Sequence, residues 1–343
     1  MFIHATGIVS PQPAFGKMLQ STVASSGNQF ACIEPDYSTV LDPKLIRRMS
    51  RIIKMGVAAA MACLKEAGIN NPDAIITGTA YGCLADTESF LTKMVENKEE
   101  LLTPTAFIQS THNTVGAQVA LMLKCHNYNN TFVHRGFSFE NSLLDALTLM
   151  KEGEASNILV GGVDEITSIS HAILSRFGLY KNHSTPSVEI YNDKERGTVA
   201  GEGAVFFLLS DQTSTEDYAE LKSVYTFYKP LNQSTIEDQV NSFLVSQSLT
   251  VKDIDLVICG KNGDPGNDAI YHLLEQSLFN GKQMLGYKHL CGEYPTSTAF
   301  AVWYAANILK TGAENIIEKK PKTVLIYNHY QQIHHSLYLL SGC

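Results

Sequence analysis

The sequence predicts a layered α/β fold in which two similar halves follow one another. Three observations lead there. Short apolar runs bounded by Gly, Pro, Asn and Asp alternate with longer runs of helical periodicity along the whole chain. The stretch Thr131–Glu165 reads as strand, elbow, helix and strand. The second half of the chain then repeats the order of the first, and no short period suggests a solenoid.

Taken in order, residues 2–9 form a short buried strand that ends at Ser10-Pro11. After a basic run, a helix carries Met55, Val57, Ala58, Met61 and Leu64 and stops at Gly68. Asp73–Gly78 is a strand that enters the small-residue turn Thr77–Gly82. A polar helix, the segment Pro104–Gly116 and an apolar helix to Leu123 follow. Thr131–His134 is then a strand and Gly136 a tight turn. The helix behind it bears Leu143, Leu144, Leu147, Leu149 and Met150, and a strand from Asn157 to Val160 ends in Gly161-Gly162. A strand, an elbow and a buried helix are a setting in which enzymes mount a nucleophile at the helix N-terminus. Here the elbow holds Arg135, Gly136, Phe137, Ser138 and Phe139, with no cysteine.

Asn182–Glu195 is polar and irregular. The glycines of Gly197–Ala204 lack GxGxxG spacing and precede the strand Val205–Leu209 instead of opening a helix, so a dinucleotide site is rejected. The second half gives a strand near Tyr218, a helix over Ser234–Ser248 and a strand at Asp255–Cys259. The loop Gly260–Asp268 leads to a helix reaching Leu278, a strand at Met284–Gly286 and the turn Lys288–Glu293. The helix Thr296–Leu309 and strands at Lys322–Tyr327 and Ser336–Leu340 close the chain.

At 343 residues, 44% hydrophobic and 17% charged, the chain can bury a large core. A net charge of −8 argues against general nucleic-acid binding. No membrane-length apolar run or signal peptide is visible, and the seven cysteines are scattered without CxxC pairing. A reduced, cytoplasmic protein without metal or cofactor is the expectation. Three Asn-x-Ser/Thr matches, at Asn129, Asn182 and Asn232, carry no weight without a signal peptide. The basic run Lys44–Lys54, with Arg47, Arg48 and Arg51, is either a solvated helix face or a docking patch for an acidic partner.

These residues resemble the β-ketoacyl synthase family. Arg47–Arg51 looks like its RRMDRF helix, and Pro104–Gly116 is similar to its PxxxxSTxNxVAG segment. Lys151–Gly162 aligns without a gap on the helix and strand behind the nucleophile. Gly197–Ala204 resembles the GxxxGDGA strand, and Lys288–Gly292 is similar to the KSxxGH turn. The resemblance covers nearly the whole chain. It implies the thiolase-like five-layered αβαβα fold, with halves at 1–212 and 213–343.

Active members of that family use a cysteine to attack an acyl thioester and two histidines to help decarboxylate the extender and stabilise negative charge. The gap-free alignment puts Gly136 at the cysteine position, with Ser138 or Phe139 there if the register slips. The first histidine position falls on Gly260, or on Asn262 after a small shift, and the second on Glu293. The glycine-rich gate appears as Asn328–Gln332. With all three catalytic positions changed, the chain is most similar to a chain length factor. That is a degenerate ketosynthase homologue, which pairs with an active ketosynthase and helps to place an acyl carrier protein and shape the tunnel for the acyl chain.

By the same resemblance, Phe107, Gln109, His112 and Phe137 are tunnel or interface residues. The competing readings are core packing for the two phenylalanines and a hydrogen-bonded core position for His112. Arg47, Arg48 and Arg51 are the candidates for carrier-protein docking. Two other classes of function stay open: an acyltransferase or thioester-handling enzyme using Ser138, Cys291 (beside His289 and Glu293) or Cys259, and a homodimeric acyl-binding scaffold. His334, His335 and Trp303 are expected in structural positions.

Overall fold

The computed structural model describes residues 1–17, 22–312, 317 and 319–343. Ten strands carry the architecture. In the first half they are β1 (Phe2–Val9), β2 (Ala74–Gly78), β3 (Tyr128–Phe132), β4 (Asn157–Asp164) and β5 (Gly203–Ser210). In the second they are β6 (Ala219–Tyr228), β7 (Leu256–Cys259), β8 (Gln283–Gly286), β9 (Thr323–Tyr330) and β10 (His334–Ser341). The hydrogen-bonded order is β8-β7-β9-β10-β6-β1-β5-β4-β2-β3. Read from the join outward, β1-β5-β4-β2-β3 and β6-β10-β9-β7-β8 are the same arrangement. In each half the first two neighbour pairs are antiparallel and the last two parallel. Within the ten-stranded sheet the halves join through β1 and β6, at Phe2↔Glu220 and Ile3↔Ala219. The repeat read from the sequence is therefore a repeat of topology.

Nine helices of six residues or more are described. They are α1 (Arg51–Ala67), α2 (Leu84–Glu96), α3 (Pro104–Gln109), α4 (Thr114–Leu123), α5 (Ser138–Lys151), α6 (Ser168–Arg176), α7 (Gln233–Ser246), α8 (Pro265–Gln276) and α9 (Thr298–Thr311). The layers follow from side-chain alternation on the strands. Ile158 and Val160 of β4, with Val324 and Ile326 of β9, face a central core that contains Leu143 of α5 and Trp303 of α9. Leu159 points the other way, toward Val57 of α1 and Val119 of α4. Leu325 and Tyr327 likewise face Val240 of α7 and Leu274 of α8. Helix, sheet, helix, sheet, helix is the five-layered arrangement expected. Strands covered on both faces lose polar alternation, which is why β5 is buried at every position.

The structure corrects several boundaries. The strand placed at Thr131–His134 is Tyr128–Phe132; it is the sheet edge, so its polar Asn129 and Asn130 are tolerated. Strand β4 runs through Gly161-Gly162 to Asp164, because the glycines admit Phe206 from the neighbouring strand and Ala299 and Thr296 from the central layer. Helix α6, which the sequence reading passed over, has a capping box between Thr167 and Ser170. Helix α8 starts inside the supposed loop, where Pro265 opens the first turn and the Asp264 carboxylate accepts from Asn267 N–H.

Candidate functional site

The elbow between β3 and α5 is one turn of 3₁₀ helix, Arg135–Phe137, and Arg135 holds a left-handed φ of 48°. A non-glycine residue there is strained, and strain kept at an elbow marks a position fixed by its surroundings. Gly136 is buried directly against His334, the first residue of β10. A Cβ added at Gly136 would lie 2.9 Å from His334 Cγ and 3.0 Å from its Cβ and Nδ1. The imidazole is held edge-on to Phe137 at 4.7 Å between ring centroids, with His134 at 5.7 Å and Tyr228 at 5.4 Å. The space that a side chain at position 136 would use is therefore taken by His334.

Gly260 follows β7 and is equally closed. A Cβ there would overlap Asn328 Oδ1 and approach the Tyr271 hydroxyl at 2.7 Å. Asn328 is fixed in turn by the Tyr287 hydroxyl, which donates to Oδ1 at 3.1 Å. Asn262 lies two residues on, its backbone N–H bonded to the buried Asp268. Its side-chain amide donates to Glu293 Oε2 at 2.7 Å, and Lys288 Nζ meets the same oxygen at 2.6 Å. Both members of that ion pair are buried, so neither can lose its partner without a large penalty. Glu293 Oε1 is buried without a hydrogen-bond partner. It borders a cavity of about 20 Å³ shared with Tyr180, Thr198, Asn267, Tyr330 and Gln331, room for one water.

Gly136, Gly260 and Glu293 are thus built into the elbow and the second half's loops, with no nucleophile among them. The alternative nucleophiles are buried. Ser138 Oγ accepts from His134 N–H at 2.8 Å and donates to the Arg135 carbonyl at 3.0 Å, so it braces the elbow. Burial drives the Cys291 thiol well above its usual range, against a smaller opposing pull from Lys288, and pushes Cys259 up to about 11. Thiols held protonated are poor nucleophiles. His289 faces Tyr191 (Nδ1 to hydroxyl, 3.1 Å), and burial lowers it to about 4.

The tunnel and interface candidates do not gather around one point. Phe107 is 57% exposed and Ile108 61%, so core packing is overturned for Phe107. His112 is also exposed, which overturns a core position for it. Gln109 Nε2 donates to the Arg48 carbonyl at 2.6 Å and ties α3 to the basic run. Phe137 is half-buried beside His134 and His334. Arg47 and Arg48 are exposed, but Arg51 is not part of a free basic face. Its guanidinium bonds both carboxylate oxygens of Glu202 at 2.5 and 2.6 Å and reaches Glu34 at 2.6 Å. Sequence reasoning passed over Tyr180, saw Tyr330 only as part of the gate segment Asn328–Gln332, and left His334 as a structural residue. The His334-His335 doublet was visible but carried no sign of its distant neighbour Gly136.

Residues 8–214, more than half of the chain, match the family described as Beta-ketoacyl synthase, N-terminal domain. The chain belongs to the β-ketoacyl synthase family. No curated protein matches its sequence. Solved structures show the thiolase-like fold over the full length at low identity. The ishigamide ketosynthase/chain length factor is 15% identical with a TM-score of 0.80, covering 100% of this chain and 98% of the other. A β-ketoacyl synthase from Burkholderia phymatum gives 15%, 0.78, 100% and 99% in the same order. The ketosynthase ApeO in complex with its chain length factor ApeC from Xenorhabdus doucetiae gives 13%, 0.77, 100% and 98%. No described helix is long and apolar enough to cross a membrane.

Proposed function

We propose that this member of the family is a non-catalytic subunit of the chain-length-factor type, pairing with an active ketosynthase in fatty acid, polyketide or polyene elongation. The observation that carries the reading is the state of the three positions where the family keeps its chemistry. Gly136 and Gly260 lack side chains and have no space for one, and Glu293 is bonded to Lys288 and Asn262. There Glu293 Oε2 accepts from two donors, where a catalyst would need a donor aimed at a developing enolate. The similarity to structures of ketosynthases with chain length factors fits the same reading.

In this proposal the halves are residues 1–212 and 213–343. The exposed edge of β3, together with the exposed Phe107 and Ile108 of α3, faces the partner subunit. Arg47 and Arg48 meet the acyl carrier protein, and Arg51 stays with Glu202. A relocated nucleophile draws less support, since Ser138, Cys259 and Cys291 are all buried. The test is condensation by the purified chain from an acyl primer and a malonyl-loaded carrier protein. No product is expected from the chain alone, and turnover would overturn the reading. A stable homodimer that never takes up a ketosynthase would favour a scaffold.

A further inference from the structure

Strands β9 and β10 join through a turn whose two central residues, Gln331 and Gln332, both lie in the left-handed region at φ 55° and 54°. Ile333 N–H closes the turn on the Tyr330 carbonyl at 3.1 Å. Turns of this kind favour Asn and Gly, so two glutamines persist only where other contacts fix them. Those contacts are present. Gln332 N–H donates to His329 Nδ1 at 3.1 Å, and Gln332 Nε2 to the Gly266 carbonyl at 2.6 Å. His329 Nε2 bonds the Asn267 carbonyl at 2.9 Å, and Lys229 N–H bonds the Ile333 carbonyl at 2.8 Å. The tip is therefore tied to the first turn of α8 and to the end of β6.

The residues at the two ends of the turn reach inward. Tyr330 borders the one-water cavity at Glu293, alongside Tyr180. His334 lies on Gly136, and the Tyr330 and His334 rings are 6.4 Å apart. A column of side chains thus runs from Glu293 through Tyr330 and His334 to the elbow. The cavity left beside Glu293 has no room for a row of methylenes.

We propose that the Tyr330–His334 hairpin is a plug that excludes straight-chain acyl groups from this subunit's own pocket, with Tyr330 and His334 as the residues that decide exclusion. The inference deepens the non-catalytic reading, because it leaves the growing chain on the partner's side of an assembly.

The test uses the isolated full chain, so its outcome does not depend on a ketosynthase partner being found. The parent carries Cys343→Ser, which removes the exposed thiol, together with His334→Ala and Gly136→Cys, which place a reporter thiol at the elbow. Alkylation at position 136 by iodoacetamide and by N-octyl iodoacetamide is followed by peptide mass spectrometry. The quantity read is the ratio of the two rates, which cancels differences in thiol reactivity between variants. Adding Tyr330→Ala should raise the octyl-to-iodoacetamide ratio by about tenfold or more, equivalent to ~1.4 kcal/mol of steric barrier. Tyr330→Phe should leave it at the parent value, and Tyr330→Leu, a gentler cut should the alanine variant unfold, should raise it in between. An unchanged ratio in a folded Tyr330→Ala or Tyr330→Leu variant overturns the plug.

Discussion

Gly136→Cys, which on the proposed reading puts back the family's nucleophile, should destabilise this protein and yield no catalyst. The magnitude follows from the contact. The new Cβ would meet three His334 side-chain atoms, Cγ, Cβ and Nδ1, at 2.9–3.0 Å, where ordinary van der Waals contact begins at 3.4 Å. The ring must retreat by about half an ångström, and Phe137, His134 and Tyr228 stand around it. Forcing atoms into a packed site typically costs about 1–3 kcal/mol. The φ of Gly136 is not in the left-handed region, so the backbone adds no strain of its own. For a chain of this size that is a fall of a few degrees in unfolding temperature. The assay is a double-mutant cycle by thermal or denaturant unfolding with Gly136→Cys, His334→Ala and both together. Because removing the imidazole relieves the overlap, the coupling should be about 1–2 kcal/mol in the direction of rescue. Additivity within about 0.3 kcal/mol would refute the argument that His334 fills the space at position 136.

The buried Lys288–Glu293 ion pair gives another test. Lys288→Met should cost about 3–5 kcal/mol by stranding Glu293, and adding Glu293→Leu should recover most of it, as read by denaturant unfolding. Acid sensitivity should be traceable to His335, which burial lowers from 6.5 to about 4. The unfolded chain takes up this proton below pH 6.5 while the folded chain refuses it, so stability falls as pH drops from about 6.5 to about 4, by up to roughly 3 kcal/mol. The stability difference between wild type and His335→Gln should shift by that amount across the window, and a flat difference would contradict the assignment. Glu165 works in the opposite sense. Burial raises it from 4.5 to about 7, so its contribution weakens as pH rises through that range. Finally, the double change Arg47→Glu and Arg48→Glu should weaken association with an acidic carrier protein in a salt-dependent way, measured by titration. It should change stability by less than about 0.5 kcal/mol, whereas Arg51→Met should destabilise the fold by stranding Glu202.

The fold was legible because periodicity and caps are local. The apolar face from Met55 to Leu64 and its stop at Gly68, which holds φ 68° at the end of α1, need no knowledge of the rest of the chain. Edge and interior strands were harder. Tyr128–Phe132 looks polar because one side of it is unpaired, and the glycines of β4 look like a strand end although Phe206 packs against them. The proposed site was legible only as departures from the family's motifs. That a glycine stands at position 136 is visible in the sequence. That an imidazole from the last strand occupies its space depends on the layering, which brings β10 to the elbow. Exposure was not legible in the same way: core packing stood as the competing reading for Phe107, which lies on the surface of this chain.

The most direct test of the central claim is made on the assembled pair. The chain is co-expressed with a ketosynthase from its own genomic neighbourhood, the complex is purified and exposed to an acyl-loaded carrier protein, and intact-mass spectrometry shows which subunit gains the acyl group. An adduct confined to the ketosynthase, in a one-to-one complex, is the predicted result. An adduct on this chain would contradict it, and peptide mapping would then show whether Ser138, Cys259 or Cys291 had carried it.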